Sequence, residues 1–253
     1  LLCSSLTLCS QDIQAILAGN KPLHLKADTL NLEGRRYMFK LKYDSAKYCF
    51  DLATKLALES RNSNIICRCY IDYVSMYCIL SRPKEAEKYM LLANPFLEKA
   101  DIYEVKASGL SIRANLCNLM EKKDSALYYY QVAERYNFEK NPYRNWMIYM
   151  AIGDIYNQAD DRETAEKYFL KAYNLTVKQE GKPDHIYLLT VFLNFYLTSN
   201  NPADAAPLIQ EFDELQEERR RKGIKDPLRD IMLGMTTTRL AGNVNFMKKK
   251  KKK

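Results

Sequence analysis

Apolar and polar positions along the chain recur with one long period. Alanines stand at Ala46, Ala86, Ala126, Ala165 and Ala205, spaced 40, 40, 39 and 40 residues apart, and their surroundings recur with them. Nine residues before each anchor are Tyr37, Tyr77, Cys117, Tyr156 and Tyr196, and sixteen before are Leu30, Tyr70, Leu110, Tyr149 and Leu189. Four after are Phe50, Met90, Tyr130, Phe169 and Ile209, and seven after are Ala53, Ala93, Ala133, Ala172 and Phe212. Twelve before come Gly34, Val74, Ala114, Gly153 and Leu193, small in three units of five.

These offsets describe two helices per unit. Positions sixteen, twelve and nine before the anchor follow the i, i+4, i+7 spacing of one helical face, and the anchor with its +4 and +7 partners defines a face on a second helix. Short polar breaks around residues 42–45, 81–84, 121–124, 159–162 and 199–202 are expected to turn the chain and cap the second helix through Asp or Ser. A sixth unit begins at residue 228, with Gly234 in the small-residue column, and stops after one helix. A solenoid usually ends in a complete capping helix, so the natural protein is expected to continue further.

The pattern resembles the tetratricopeptide repeat (TPR) family over about residues 24–215. The segment 149–156, Tyr-Met-Ala-Ile-Gly-Asp-Ile-Tyr, followed by Ala165, Phe169 and Ala172, carries the likeness best. Two departures stand out: the period is near 40 rather than 34 residues, and the proline that often ends the family's second helix is missing from every unit. The resemblance implies an all-α fold, a right-handed α-solenoid of about five helix hairpins with a partial sixth, spanning residues 11–247.

Composition changes this picture little. With 8 Gly and 8 Pro in 253 residues, turn-rich β architecture is disfavoured. Of the net charge of +8, six units belong to the lysine run 248–253, a tail expected to be solvated; the remainder carries 33 basic against 31 acidic residues. Nucleic acid is therefore not expected as a partner. No run approaches the roughly 20 apolar residues of a membrane-spanning helix. Residues 1–10 are uncharged and rich in Leu, Ser and Cys. They look like the tail of a secretory signal peptide, which points to an exported, periplasmic or envelope-associated protein; the other reading is the first part of a helix in a cytoplasmic one.

Catalytic and cofactor motifs are missing: there is no GxxxxGK[ST], GxGxxG, HExxH or GxSxG. The seven cysteines form no CxxC pair, and five of them fall inside helical patterns, where a thiol acts as a small hydrophobe. Cys67 and Cys69, two residues apart, point to different sides of a helix. His185 and His24 read as ordinary exposed residues near helix starts. The expectation is a non-enzymatic protein without metal or cofactor.

That leaves a surface. About 100° from the packing face of each first helix runs another face, which the family resemblance places along the concave groove. Eleven before the anchors stand Arg35, Ser75, Asn115, Asp154 and Asn194, all polar. Asn118 and Asn157 follow one turn later; Arg68, Met147 and Tyr187 lie eighteen before their anchors, with Met150 beside them. Asn both donates and accepts, so such a strip suits the backbone of an extended peptide, with the methionines as adaptable apolar contacts. A solvated face without a ligand is the other reading. The strip lacks the Lys and Arg cluster needed to clamp a carboxylate or a phosphate backbone.

The resulting expectation is a protein- or peptide-binding scaffold. Its likeness to exported tetratricopeptide regulators of Bacteroidetes-type bacteria implies a sensor or assembly module of a larger signalling protein. The alternatives are a nucleic-acid-binding α-solenoid, or the accessory module of an enzyme whose catalytic domain lies outside this chain.

Overall fold

The computed structural model describes residues 13–177, 183–198 and 205–223. The expected signal-like segment 1–10, the turn at 199–202, the partial sixth unit and the lysine tail lie outside the described residues. Within them the chain is all-α, without a strand. After a helical turn at residues 13–18 come α1 (Leu23–Phe39), α2 (Tyr43–Ser60), α3 (Ser63–Ile79), α4 (Pro83–Lys99), α5 (Tyr103–Leu119) and α6 (Lys123–Lys140). A 3₁₀ turn, Pro142–Arg144, leads to α7 (Asn145–Gln158), α8 (Arg162–Thr176), α9 (Pro183–Leu197) and α10 (Ala206–Arg221). The chain divides into two compact units, Leu1–Pro142 and Tyr143–Lys253. The first holds the hairpins α1/α2, α3/α4 and α5/α6; the second holds α7/α8 and α9/α10.

Each hairpin is closed in the same way as far as it is described. Leu41, Ser81, Glu121 and Asp160, five residues before their anchors, take left-handed backbone angles with φ between 54° and 62°. The next amide then reaches back five residues, as in Lys42 N to Tyr37 O (2.9 Å), Arg82 N to Tyr77 O (2.9 Å), Lys122 N to Cys117 O (2.9 Å) and Asp161 N to Tyr156 O (3.0 Å). This is a Schellman closure built without glycine. The expected Asp or Ser caps are borne out only at Asp161, whose side chain accepts from Thr164 N (3.1 Å). Elsewhere Lys42, Arg82 and Lys122 hold the cap position without a side-chain bond, because the second helix starts earlier than the polar residues suggest.

Packing inside a hairpin follows the repeat columns. All five anchor alanines, and Ala53, Ala93, Ala133 and Ala172, are wholly buried. Where the residue twelve before the anchor is Gly34 or Gly153, the residue four after it is Phe50 or Phe169, and the ring lies over the glycine. Larger residues at the first position, such as Val74, face the slimmer Met90 at the second. Volume is thus traded across the hairpin to keep dense packing.

Tyrosines tie the helices together. Tyr89 stacks on Tyr73 (centroids 4.2 Å apart) and on Tyr77 (5.5 Å), and Tyr168 stacks on Tyr156 (5.8 Å). Phenol hydroxyls donate to carboxylates of other helices: Tyr143 to Asp184 (2.6 Å), Tyr173 to Glu211 (2.8 Å), Tyr73 to Asp51 and Tyr196 to Glu166. This use of ring and hydroxyl together accounts for much of a tyrosine count of 19.

Candidate functional site

The first-helix face is best described unit by unit. In the first unit, α1 packs on α3 and α3 on α5, and the charges of neighbouring repeats answer one another. Arg68 donates to Asp28 (2.6 Å), and Arg35 lies 3.5 Å from Asp72. Fully buried Asn31 donates to the same Asp72 carboxylate (2.5 Å). Burial raises the Asp72 carboxyl to about 6, held there against the lowering influence of Arg35 and Asn31. Arg35 and Arg68 are therefore inter-repeat ties. Asn115 is exposed but accepts the hydroxyl of Tyr130 from α6. Ser75 and Asn118 are half-buried and make no side-chain hydrogen bond among the described residues.

In the second unit, Met147, Met150, Asp154 and Asn157 run along one stripe of α7 at helical spacing. Met147 is 53% exposed, whereas Met150 is half-buried against the aromatic core around Phe169 and Phe192. Tyr187 of α9 stands edge to face with buried Trp146 (centroids 6.2 Å apart). Burial lifts its phenol above the usual value, and the charge of Asp154 adds to the lift. Asp154 itself is raised to about 6 by burial. Asn157 is half-buried without a side-chain hydrogen bond among the described residues, and Asn194 is half-buried.

The structure thus sorts the sequence-derived residues into two groups. Arg35, Arg68 and Asn115 are engaged within the fold, and Tyr187 is packed on Trp146. Ser75, Asn118, Asp154 and Asn157 retain hydrogen-bonding capacity on the first-helix face, where a ligand's polar groups can use it.

His185 requires a correction. It does stand in the first turn of α9, but it is wholly buried rather than exposed. Its Nε2 donates to Glu211 (2.9 Å), its Nδ1 lies 2.8 Å from the Thr176 hydroxyl, and Tyr173 donates to the other Glu211 oxygen. The cluster links α8, α9 and α10. A signal for it was present: His185 lies four residues before Leu189 and so extends the packing stripe of α9 by one turn. The cysteines Cys67 and Cys69 are buried on α3, and burial pushes the Cys67 thiol up to about 12 and that of Cys69 higher still, so neither is a thiolate at neutral pH.

Among the described residues, no group of three or more His, Cys, Asp or Glu could hold a metal ion, and no helix is long and apolar enough to cross a membrane. The sequence matches no protein-family profile and no curated protein. The fold is similar to a crystal structure from Pyrococcus horikoshii, that of a Signal Transduction ATPase with Numerous Domains (STAND) protein with a tetratricopeptide repeat sensor. The TM-score is 0.57 at 16% identity, over 92% of this chain and 39% of that one. The present chain therefore spans well under half the length of that protein. At this identity the likeness is one of fold: a TPR-like array of helix hairpins.

Proposed function

We propose that this chain is a protein- or peptide-binding scaffold that takes ligands on the first-helix face of each unit. The observation that carries the reading is the set of polar groups there without a partner among the described residues: Ser75 and Asn118 in the first unit, Asp154 and Asn157 in the second. Half-buried polar groups that lack internal partners gain most from a ligand that supplies them. Backbone amides of an extended segment do so whatever the ligand's sequence. Exposed Met147 offers a soft apolar contact on the same stripe.

Within this proposal the array serves as the sensor or assembly module of a larger signalling protein. Support comes from the similar hairpin array in the STAND protein, where it is described as a sensor in a longer chain. An exported location is a separate proposal that rests on the uncharged residues 1–10, and cell fractionation tests it.

The test of binding is to pan a displayed library of random peptides against the chain. A variant carrying Asn118→Ala, Asp154→Ala and Asn157→Ala is then challenged with the enriched peptides. Retained circular dichroism with lost peptide binding is the expected outcome. Equal binding to the variant would move the ligand to another face, and a library with no enrichment would remove the scaffold reading.

A further inference from the structure

Asp154 is unlike the other charged groups of the first-helix face. In the first unit Arg35 and Arg68 find carboxylates in the neighbouring repeat, at 3.5 Å and 2.6 Å. Asp154 finds neither an ion pair nor a hydrogen-bond donor among the described residues. The repeat register explains the difference. Asp154 occupies the place of Arg35, eleven before its anchor, and Arg35 is answered by Asp72, fourteen before the next anchor. In the second unit that answering position is Val191. Among the described residues the Asp154 carboxylate is thus half-buried and uncompensated, a costly arrangement.

Its surroundings narrow the occupant. Tyr187, close enough to feel the Asp154 charge, presents an aromatic ring held by Trp146. Met150 and Met147 lie one and two turns before Asp154 on the same stripe of α7. A carboxylate for a cation, a ring beside it and thioethers along the approach match a basic side chain, whose charged head sits on a long methylene stem. An acidic side chain would meet an uncompensated like charge.

We propose that Asp154, with Tyr187, Met147 and Met150, receives a lysine or arginine side chain of a protein partner. This rests on the peptide-binding reading and names the residue that reading places in the second unit. At pH 7.4 the Asp154 carboxyl is mostly ionised, so the charge is available. The ammonium or guanidinium supplies the charge-assisted hydrogen bonds that no described residue provides.

The test uses four blocked pentapeptides, alanines around a central lysine, arginine, norleucine or glutamate. They are titrated into the full chain while the side-chain carboxyl carbon of Asp154 is followed by NMR. The lysine and arginine peptides are expected to bind about tenfold tighter than the norleucine peptide and to shift that carbon, with the advantage shrinking as salt is added. In Asp154→Asn, which keeps the shape of the side chain, the advantage disappears while norleucine binding is unchanged.

Equal affinity for lysine and norleucine peptides in the natural chain, or an advantage that survives Asp154→Asn, overturns the cationic site and leaves the scaffold reading standing. An Asp154 carbon unmoved by all four peptides also overturns it. Failure of the scaffold reading itself shows separately, as a library from which no peptide is enriched.

Discussion

Replacing three helical glycines by alanine tests the packing argument through the sign of the effect. Gly34, Gly109 and Gly153 lie inside α1, α5 and α7, where helix propensity alone favours alanine by about 1 kcal/mol. Packing opposes that gain to different degrees. A Cβ on Gly34 would land on the Phe50 ring and stand 3.2 Å from the Ala46 carbonyl oxygen. Phe50 is wholly buried and edge to face with Tyr73 at 5.3 Å, and an overlap this deep is more than a small tilt of the ring can relieve. On Gly153 the Cβ would stand 2.9 to 3.2 Å from three ring atoms of Phe169, which a small tilt of the ring relieves in part. On Gly109 it would meet Leu97 Cδ1 at 2.5 Å, the free end of a flexible side chain. Overpacking costs about 1–3 kcal/mol. Assigning the upper part of that range to Gly34 and the lower part to Gly153, then subtracting the propensity gain, predicts a loss of about 1–2 kcal/mol for Gly34→Ala and roughly no change for Gly153→Ala. Gly109→Ala should gain up to about 1 kcal/mol. Urea unfolding followed by far-ultraviolet circular dichroism, with the slope m checked for constancy, measures the series. Stabilisation by Gly34→Ala, as in an open helix, would refute the account of hairpin packing.

Two further expectations follow from the same structure. Ala126→Leu and Ala165→Leu force an isobutyl group into wholly buried anchor sites and should each cost about 1–3 kcal/mol in urea unfolding, whereas no loss would mean the hairpins separate freely. Asp154 carries its own pH signature. Its carboxyl is raised from 3.8 to about 6 in the folded chain, so between about pH 6 and pH 4 the folded state binds a proton that the unfolded state does not. Stability contributed by this group therefore rises as pH falls through that window. Asp72 acts in the same direction, so the rise should be smaller, but not absent, in Asp154→Asn. Parallel pH profiles for the two proteins would contradict the uncompensated burial of Asp154.

The hairpins were legible because a repeat writes each packing contact several times. One buried alanine is weak evidence, but five in register with the same apolar columns specify two helices and the face each presents. The turn chemistry was less legible. Asp44, Ser45 and Asp124 suggested caps, yet the chain turns before them, with Leu41 and Glu121 in the left-handed conformation. Leu41 and Glu121 are not turn-forming residue types, and their angles are imposed by packing of the two helices at a local cost of about 1–2 kcal/mol each. The burial of His185 was missed for a related reason. The proline and aspartate before it mark a helix start, and it stands at one, but the groups that enclose it, Thr176 and Glu211, come from other helices and leave no local trace.

The site was legible as a position and not as a state. Register alone places Arg35, Ser75, Asn115, Asp154 and Asn194 equivalently, eleven before their anchors. What each does depends on partners that the register does not repeat. Arg35 meets Asp72 in the next repeat, and Asn115 meets the Tyr130 hydroxyl in its own hairpin because that unit has Tyr where others have Phe, Met or Ile. Asp154 meets no counter-charge among the described residues, because Val191 stands where Asp72 stood. A charge at a repeated position is tied within the array when its neighbour's column supplies the opposite charge, and lacks that tie when the column supplies a hydrocarbon. The distinction lies in two columns read together across adjacent repeats, not in either column alone. Installing the missing partner, for example by Val191→Lys, should therefore convert Asp154 from a receptor for an external cation into an internal tie like Arg35–Asp72, with the lysine-peptide advantage lost although the Asp154 carboxylate is retained.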